Sequence, residues 1–217
     1  MRNLIQFVDK IYCINLDSRK DRWQEVSARF EKLGIADYVV RVSAVVDEDP
    51  RIGCRDSHVQ CVADALENNY ENTLIFEDDV AFIEKNTPDF QRIIKFLKKD
   101  EKWDLFYLGG SPMYPASFQN EHVFKSRFFS THAYVVNKRA FNKIQSAEYP
   151  IDFWYCFNAI SYGLSPLYAV QAPSFSDIRK KELVHIQDSM NHRYDKLVYA
   201  NVAMRWWNYF QLHYWSR

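Results

Sequence analysis

Short apolar runs alternate along this chain with longer stretches whose apolar residues recur every third or fourth position. Ile11-Tyr12-Cys13-Ile14-Asn15-Leu16 predicts a strand, because so short and continuous an apolar run suits a strand covered on both faces. Asp17 or Ser18 is placed to cap the following helix, where Trp23, Val26, Phe30 and Leu33 share a face and Gly34 marks the stop. Residues 38–44 are rich in β-branched side chains and predict a second strand. A helix is expected around 56–68, with Val59, Val62, Ala63 and Leu66 on one face. Thr73-Leu74-Ile75-Phe76 predicts a strand that runs directly into Glu77-Asp78-Asp79.

The alternation continues. Thr87-Pro88 reads as a cap followed by proline at the first helical position, with Phe90, Ile93, Ile94 and Leu97 lining the helix. A strand is expected over 104–108, ended by Gly109-Gly110, and a loop over 111–120. Residues 132–136 predict a strand, and Asn137 is placed to cap a helix through 147. Another helix is expected over 151–162 with Gly163 ending it, then a last strand over 167–172 and an aromatic helix over 193–217. Strands alternating with helices imply an α/β fold, with a central, mostly parallel sheet flanked by helices. We expect one catalytic-size domain over 1–217, and its abrupt aromatic end suits one domain of a longer protein.

Composition narrows the class. The 217 residues are 47% hydrophobic and 17% aromatic, enough for a full core and unlike a disordered chain. Basic and acidic residues balance at 28 each, which weighs against a nucleic-acid partner. Cys13, Cys54, Cys61 and Cys156 form no CxxC pair and read as reduced core residues. No apolar run reaches the roughly 18 residues of a spanning helix, and residues 1–10 hold no signal-peptide core. The expected address is the cytoplasm. The chain has five glycines and no GxGxxG, P-loop, HExxH or GxSxG, so dinucleotide, P-loop, zinc-protease and serine-hydrolase chemistry are disfavoured.

The acidic triplet is the sharpest chemical feature. In an open α/β sheet, ligands bind beyond the carboxyl ends of the strands. Side chains alternate along a strand, so Glu77 and Asp79 are expected to point one way and Asp78 the other. Mg²⁺ or Mn²⁺ is held by a few carboxylates together with substrate phosphates. The plain alternative is a solvated strand end. His58 and His132 likewise read either as structural histidines or as ligand contacts, and Asp152 as a helix-dipole carboxylate, as an acceptor-site base, or as a polar group facing the donor sugar in a retaining reaction.

Several segments, in order, resemble glycosyltransferase family 25. Tyr12 to Arg22 resembles the opening INLxxRxDR strand and turn; Arg41 to Val45, the second strand, which ends where the nucleoside is met; Gly53 to His58, GCxxSH; Leu74 to Val80, LIxEDDV; Trp103 to Gly109, WDxxxLG. Thr131-His132-Ala133-Tyr134 matches THAY, Pro150-Ile151-Asp152 resembles PxD, and Ser176-Asp177-Ile178 resembles SDI. The chain is also similar to the N-terminal domain of viral enzymes that glycosylate capsid protein. These resemblances imply a GT-A fold, a UDP-sugar donor and a glycan or glycoprotein acceptor, in capsid or surface glycan synthesis. They imply Asp79 as the main metal ligand, with Asp78 or Glu77 touching the metal or the ribose. Asp177 and His185 compete as a further ligand of Mn²⁺ or Mg²⁺. They place Asn15, Leu16, Ser43, Ala44 and Val45 around the nucleoside, and Arg19, Arg22 and Arg55 near the diphosphate. Asp152 and Asp78 are the candidate catalytic carboxylates. A decayed glycan-binding module and a nucleotidyltransferase are the competing readings.

Overall fold

The computed structural model describes residues 1–100, 102–148, 150–172, 175–176 and 181–182. The expected helix over 193–217 lies outside the described residues. In chain order the elements are α1 (Arg2–Ile5), β1 (Lys10–Asn15), α2 (Lys20–Leu33), β2 (Val39–Ser43), α3 (Pro50–Glu67), β3 (Asn72–Glu77) and β4 (Val80–Phe82). There follow α4 (Phe90–Lys99), β5 (Leu105–Phe118), β6 (Val123–Asn137), α5 (Lys138–Ile144), α6 (Ile151–Asn158), β7 (Ser161–Leu164) and β8 (Ala169–Gln171). Two short strands, β9 (Phe175–Ser176) and β10 (Lys181–Glu182), pair with each other.

The central sheet has six strands in the order β2-β1-β3-β6-β5-β7. All run the same way except β6, which is antiparallel to both neighbours. This is the expected mixed, mostly parallel α/β architecture. The pleat divides the core in two. Ile11, Cys13, Leu74 and Phe76 face Val26 and Phe30 of α2 and Phe90, Ile93 and Leu97 of α4. Tyr12, Ile14 and Ile75 face Cys61, Val62 and Ala65 of α3 and Phe141 of α5. All four cysteines are free. Among the described residues, no helix is long and apolar enough to cross a membrane.

Several boundaries differ from the sequence pattern. Residue 19, not Asp17 or Ser18, is the N-cap of α2, and it makes no side-chain cap bond. Asp17 instead accepts from Arg41 at 2.6 Å and Ser43 at 2.9 Å, so β2 takes the group that could have capped. Helix α3 starts at Pro50, capped by the Asp49 side chain, well before the apolar periodicity begins. Asp89, not Thr87, caps α4, while Thr87 Oγ1 donates to the Glu84 carbonyl. The predicted loop 111–120 continues β5, paired with β6 through three register shifts. Bulges of this kind absorb residues without ending a strand. The reversal comes at Asn120, whose Oδ1 accepts from the backbone of His122 and Val123. Helix α6 stops at Asn158, and Gly163 belongs to β7, paired with β5.

Two glycines separate two physical demands. Gly34 ends α2 at φ 66° with open space around it. Gly109 has no such conformation, but a Cβ there would meet the Ala169 carbonyl oxygen at 1.9 Å and His132 Nε2 at 2.7 Å. Gly109→Ala is therefore expected to cost about 1–3 kcal/mol or more by overpacking. Gly34→Ala is expected to cost only about 1–2 kcal/mol, for the left-handed backbone. Urea midpoints of the two variants check the order.

Candidate active site

Parallel pairing brings three strand ends to one edge. Ile14 lies opposite Glu77, and Asn15 opposite Ser43. On the other side of β3, antiparallel β6 places Ala133 opposite Phe76, so Ser130 and Thr131 reach the same edge. The pairing of β4 with β8 sets Gln171 against Val80, beside Asp79.

Strand β3 ends at Glu77, and Asp78-Asp79 form the turn into β4. The pleat stops there, so the expected alternation does not run through the triplet: Asp78 and Asp79 share one cation, and Glu77 takes partners of its own while its charge still acts on Asp79. Arg22 Nη2 lies 3.0 Å from Asp78 Oδ1 and 3.0 Å from Asp79 Oδ2. Asn15 Nδ2 donates to Asp78 Oδ2 at 2.7 Å, while Asn15 Oδ1 accepts from Arg41 Nε at 2.9 Å. Gln171 Nε2 donates to Asp79 Oδ2 at 3.3 Å. Asp79 Oδ1 is buried and makes no hydrogen bond.

Glu77 has its own partners. Thr131 Oγ1 donates to its Oε1 at 2.5 Å, and His58 Nε2 lies 3.3 Å from the same oxygen. Behind it His58 Nδ1 contacts the Tyr134 hydroxyl at 2.9 Å, which contacts that of Tyr155 at 3.1 Å. A buried chain thus orients Glu77.

The electrostatics follow this split. Burial pushes the Glu77 carboxyl up, but His58 and Thr131 outweigh it and hold its pKa at about 2. Burial first, then the charges of Glu77 and Asp78, drive Asp79 up to about 7 against the pull of Arg22. Burial also raises Asp78. His132 is fully buried, and burial lowers it to about 4, so it is neutral at pH 7.

The carboxylates and Arg22 open into one cleft of about 990 Å³. Asn15, Leu16, Arg22, Ala44, Val45, Glu77, Asp78, Asp79 and Asp152 all line it. Four sequence candidates do not: Arg19 pairs with Asp21, Arg55 with Asp56, the Ser43 hydroxyl bonds Asp17, and His132 is fully buried. Asp177 and His185 lie outside the described residues. Two contributors escaped the sequence reading. Ser57 Oγ accepts from Val45 N at 2.8 Å and fixes that wall, a role its place in Gly53 to His58 could have suggested. Gln171 carries no local signal, because only the β4–β8 pairing makes it a neighbour of Asp79.

The model of glycosyltransferase family 25 (LPS biosynthesis protein) matches residues 48–172. The chain belongs to glycosyltransferase family 25. In this family 25 chain the matched span runs from the start of α3 to β8 and carries Ser57, His58, the Glu77-Asp78-Asp79 triplet, Thr131 and Asp152 into the cleft. No curated protein matches its sequence. Among solved structures it is similar to A197 from STIV, at 14% identity and a TM-score of 0.48, over 80% of this chain and 92% of that one. It is also similar to a glycosyltransferase involved in glycosylation of the major capsid of PBCV-1, at 15% identity and 0.45, over 69% and 73%. UDP-glucose pyrophosphorylase complexed with UDP-glucose aligns at 9% identity and 0.45, over 92% and 84%.

The residues fit a divalent ion of a particular kind. Among the described residues no group of three or more His, Cys, Asp or Glu side chains is arranged to hold a metal alone. Asp78 and Asp79 offer two adjacent carboxylates, and Asp79 Oδ1 is a buried oxygen without a partner. Two carboxylates completed by substrate phosphates and water are a common setting for Mg²⁺.

Proposed function

We propose that this chain moves a sugar from a UDP-sugar to a hydroxyl of a glycan or glycoprotein, as a step in building a capsid or surface glycan. Mn²⁺ or Mg²⁺ would be held by Asp78 and Asp79, and bound there it would neutralise the departing diphosphate. The observation that carries this reading is the meeting, in one cleft, of the Asp78-Asp79 turn, Arg22 and Asp152. The donor type and the glycan role rest on the sequence resemblance.

Each part of the chain has a task in this reaction. Leu16, Ala44 and Val45 give the nucleoside an apolar wall, and Ser57 keeps the Val45 backbone in place. Arg22 is the cation nearest the carboxylate pair and can meet diphosphate oxygens, where charge-assisted bonds are strong. Asp152 stands in the first turn of α6, its Oδ1 accepting from Phe153 N at 2.8 Å. It takes the acceptor hydroxyl's proton while the new bond to the sugar carbon forms and the bond to the diphosphate breaks.

A thermal-shift comparison of UDP, GDP and CMP, each with and without Mn²⁺, tests the reading. At a hundred times Kd, a ligand adds about 2.7 kcal/mol. For a domain of this size, that raises Tm by roughly 5–10 °C. UDP with Mn²⁺ is expected to give such a rise, and UDP or Mn²⁺ alone much less. An equal response to all three nucleotides, or none to any, overturns the proposal.

A further inference from the structure

The Asp78-Asp79 turn already holds a cation. One nitrogen, Arg22 Nη2, is shared by both carboxylates at 3.0 Å each. Asp79 Oδ1 is open to an ion, but an ion that also draws on Asp78 Oδ1 or Asp79 Oδ2 competes with this nitrogen for them. The carboxylates are 6% and 8% exposed, so the guanidinium cannot simply leave. Two adjacent buried charges without a counter-ion are strongly unfavourable. Among the hydrogen bonds they accept are two from neutral amides, Asn15 on Asp78 and Gln171 on Asp79, and Arg19 adds a weaker charge interaction with Asp78 alone. A divalent cation is a full replacement for it.

Arg22 can also go somewhere. It stands in the first turn of α2 and lines the cleft, and its long stem can carry the guanidinium from the carboxylates into that space. A diphosphate there offers the bidentate acceptors that suit a planar guanidinium.

We propose that Arg22 is an exchangeable counter-ion. It holds Asp78 and Asp79 together until a divalent ion arrives, then leaves the carboxylates for the donor's diphosphate. The idea rests on the nucleotide-sugar reading above and adds an order to it. The ion alone must compete with Arg22 and binds weakly. The nucleotide gives Arg22 its second partner, so ion and nucleotide each tighten the other's binding.

The test reads Mn²⁺ first without nucleotide, from the loss of the free-ion signal in electron paramagnetic resonance. Arg22→Met is expected to bind Mn²⁺ alone at least tenfold more tightly than the wild type. In saturating Mn²⁺ its affinity for UDP, measured by calorimetry, is expected to fall at least tenfold. Arg22→Gln keeps one amide donor for the carboxylates, protects against misfolding, and is expected to tighten Mn²⁺ binding severalfold. Unchanged or weaker Mn²⁺ binding in the folded variants overturns the proposal. So does a crystal structure with Mn²⁺ and UDP in which Arg22 still bridges Asp78 and Asp79. A wild-type chain that takes no UDP at any Mn²⁺ concentration sinks the nucleotide-sugar reading instead, while the comparison with Mn²⁺ alone still decides whether Arg22 competes.

Discussion

Asp79→Asn is expected to abolish Mn²⁺-dependent UDP binding and, in the same variant, to raise the melting temperature of the ligand-free protein. The two effects share a cause. Burial and the charges of Glu77 and Asp78 hold the Asp79 carboxyl at about 7, far above its ordinary 3.8. The folded chain therefore binds a proton that the unfolded chain has released, across the window between those values. Stability contributed by this group is present at low pH and lost as pH rises towards 7. At about 1.36 kcal/mol per pKa unit, the ionised carboxylate costs the empty site on the order of a few kcal/mol by pH 8. Asparagine keeps the shape and the Gln171 neighbour and removes that cost. Asp78 remains to pair with Arg22. The Tm advantage of the variant should be small at pH 4, grow to pH 7 and then level off. Melting curves from pH 4 to 8, with calorimetric titration of UDP and Mn²⁺, check both halves. Unchanged UDP binding would remove Asp79 from the metal site, and a lower Tm at pH 8 would show that the Arg22 contact outweighs the burial of charge.

Most of the fold could be read where local pattern and tertiary demand agree. Strands β1 and β3 are short apolar runs because both their faces are covered, and α2 has a one-sided apolar stripe ended by a left-handed glycine. The readings failed where partners distant in sequence decide. Gly109-Gly110 looks like a strand end, yet pairing with β6 carries β5 through it, and Gly109 is there because the Ala169 carbonyl lies against it. Tyr162 and Gly163 continue a helical pattern, but β5 offers a parallel edge and takes them into β7. The first part of α3 is polar and presents no stripe, so only the Asp49-Pro50 start announces it. The acidic triplet showed the same limit at the site. Its chemistry was legible, but its geometry was not, because strand alternation holds only while the strand lasts. The turn at Asp78 paired the second and third carboxylates through Arg22 and left Glu77 to His58 and Thr131.

That division of labour makes Asp152 the place to look for chemistry rather than binding, and Asp152→Asn is expected to separate the two. Asp152 lines the cleft from α6, whereas the carboxylate pair stands at the β3–β4 turn. The asparagine oxygen can still accept from Phe153 N, so the helix start should survive and Tm should change little. UDP binding with Mn²⁺ should match the wild type, because no ligand of ion or nucleotide is altered. Turnover to an acceptor hydroxyl should fall by about 10²–10⁴, the usual contribution of a positioned base. The loss should appear in kcat, with the donor KM nearly constant, since a group acting only in the transition state lowers kcat and kcat/KM together. Hydroxide can stand in for a missing base, so the residual rate should climb with pH where the wild-type rate is flat. A variant within about tenfold of wild-type kcat, or one whose UDP affinity drops in step with its rate, would place Asp152 among the structural or donor-binding residues and leave the proton to another group.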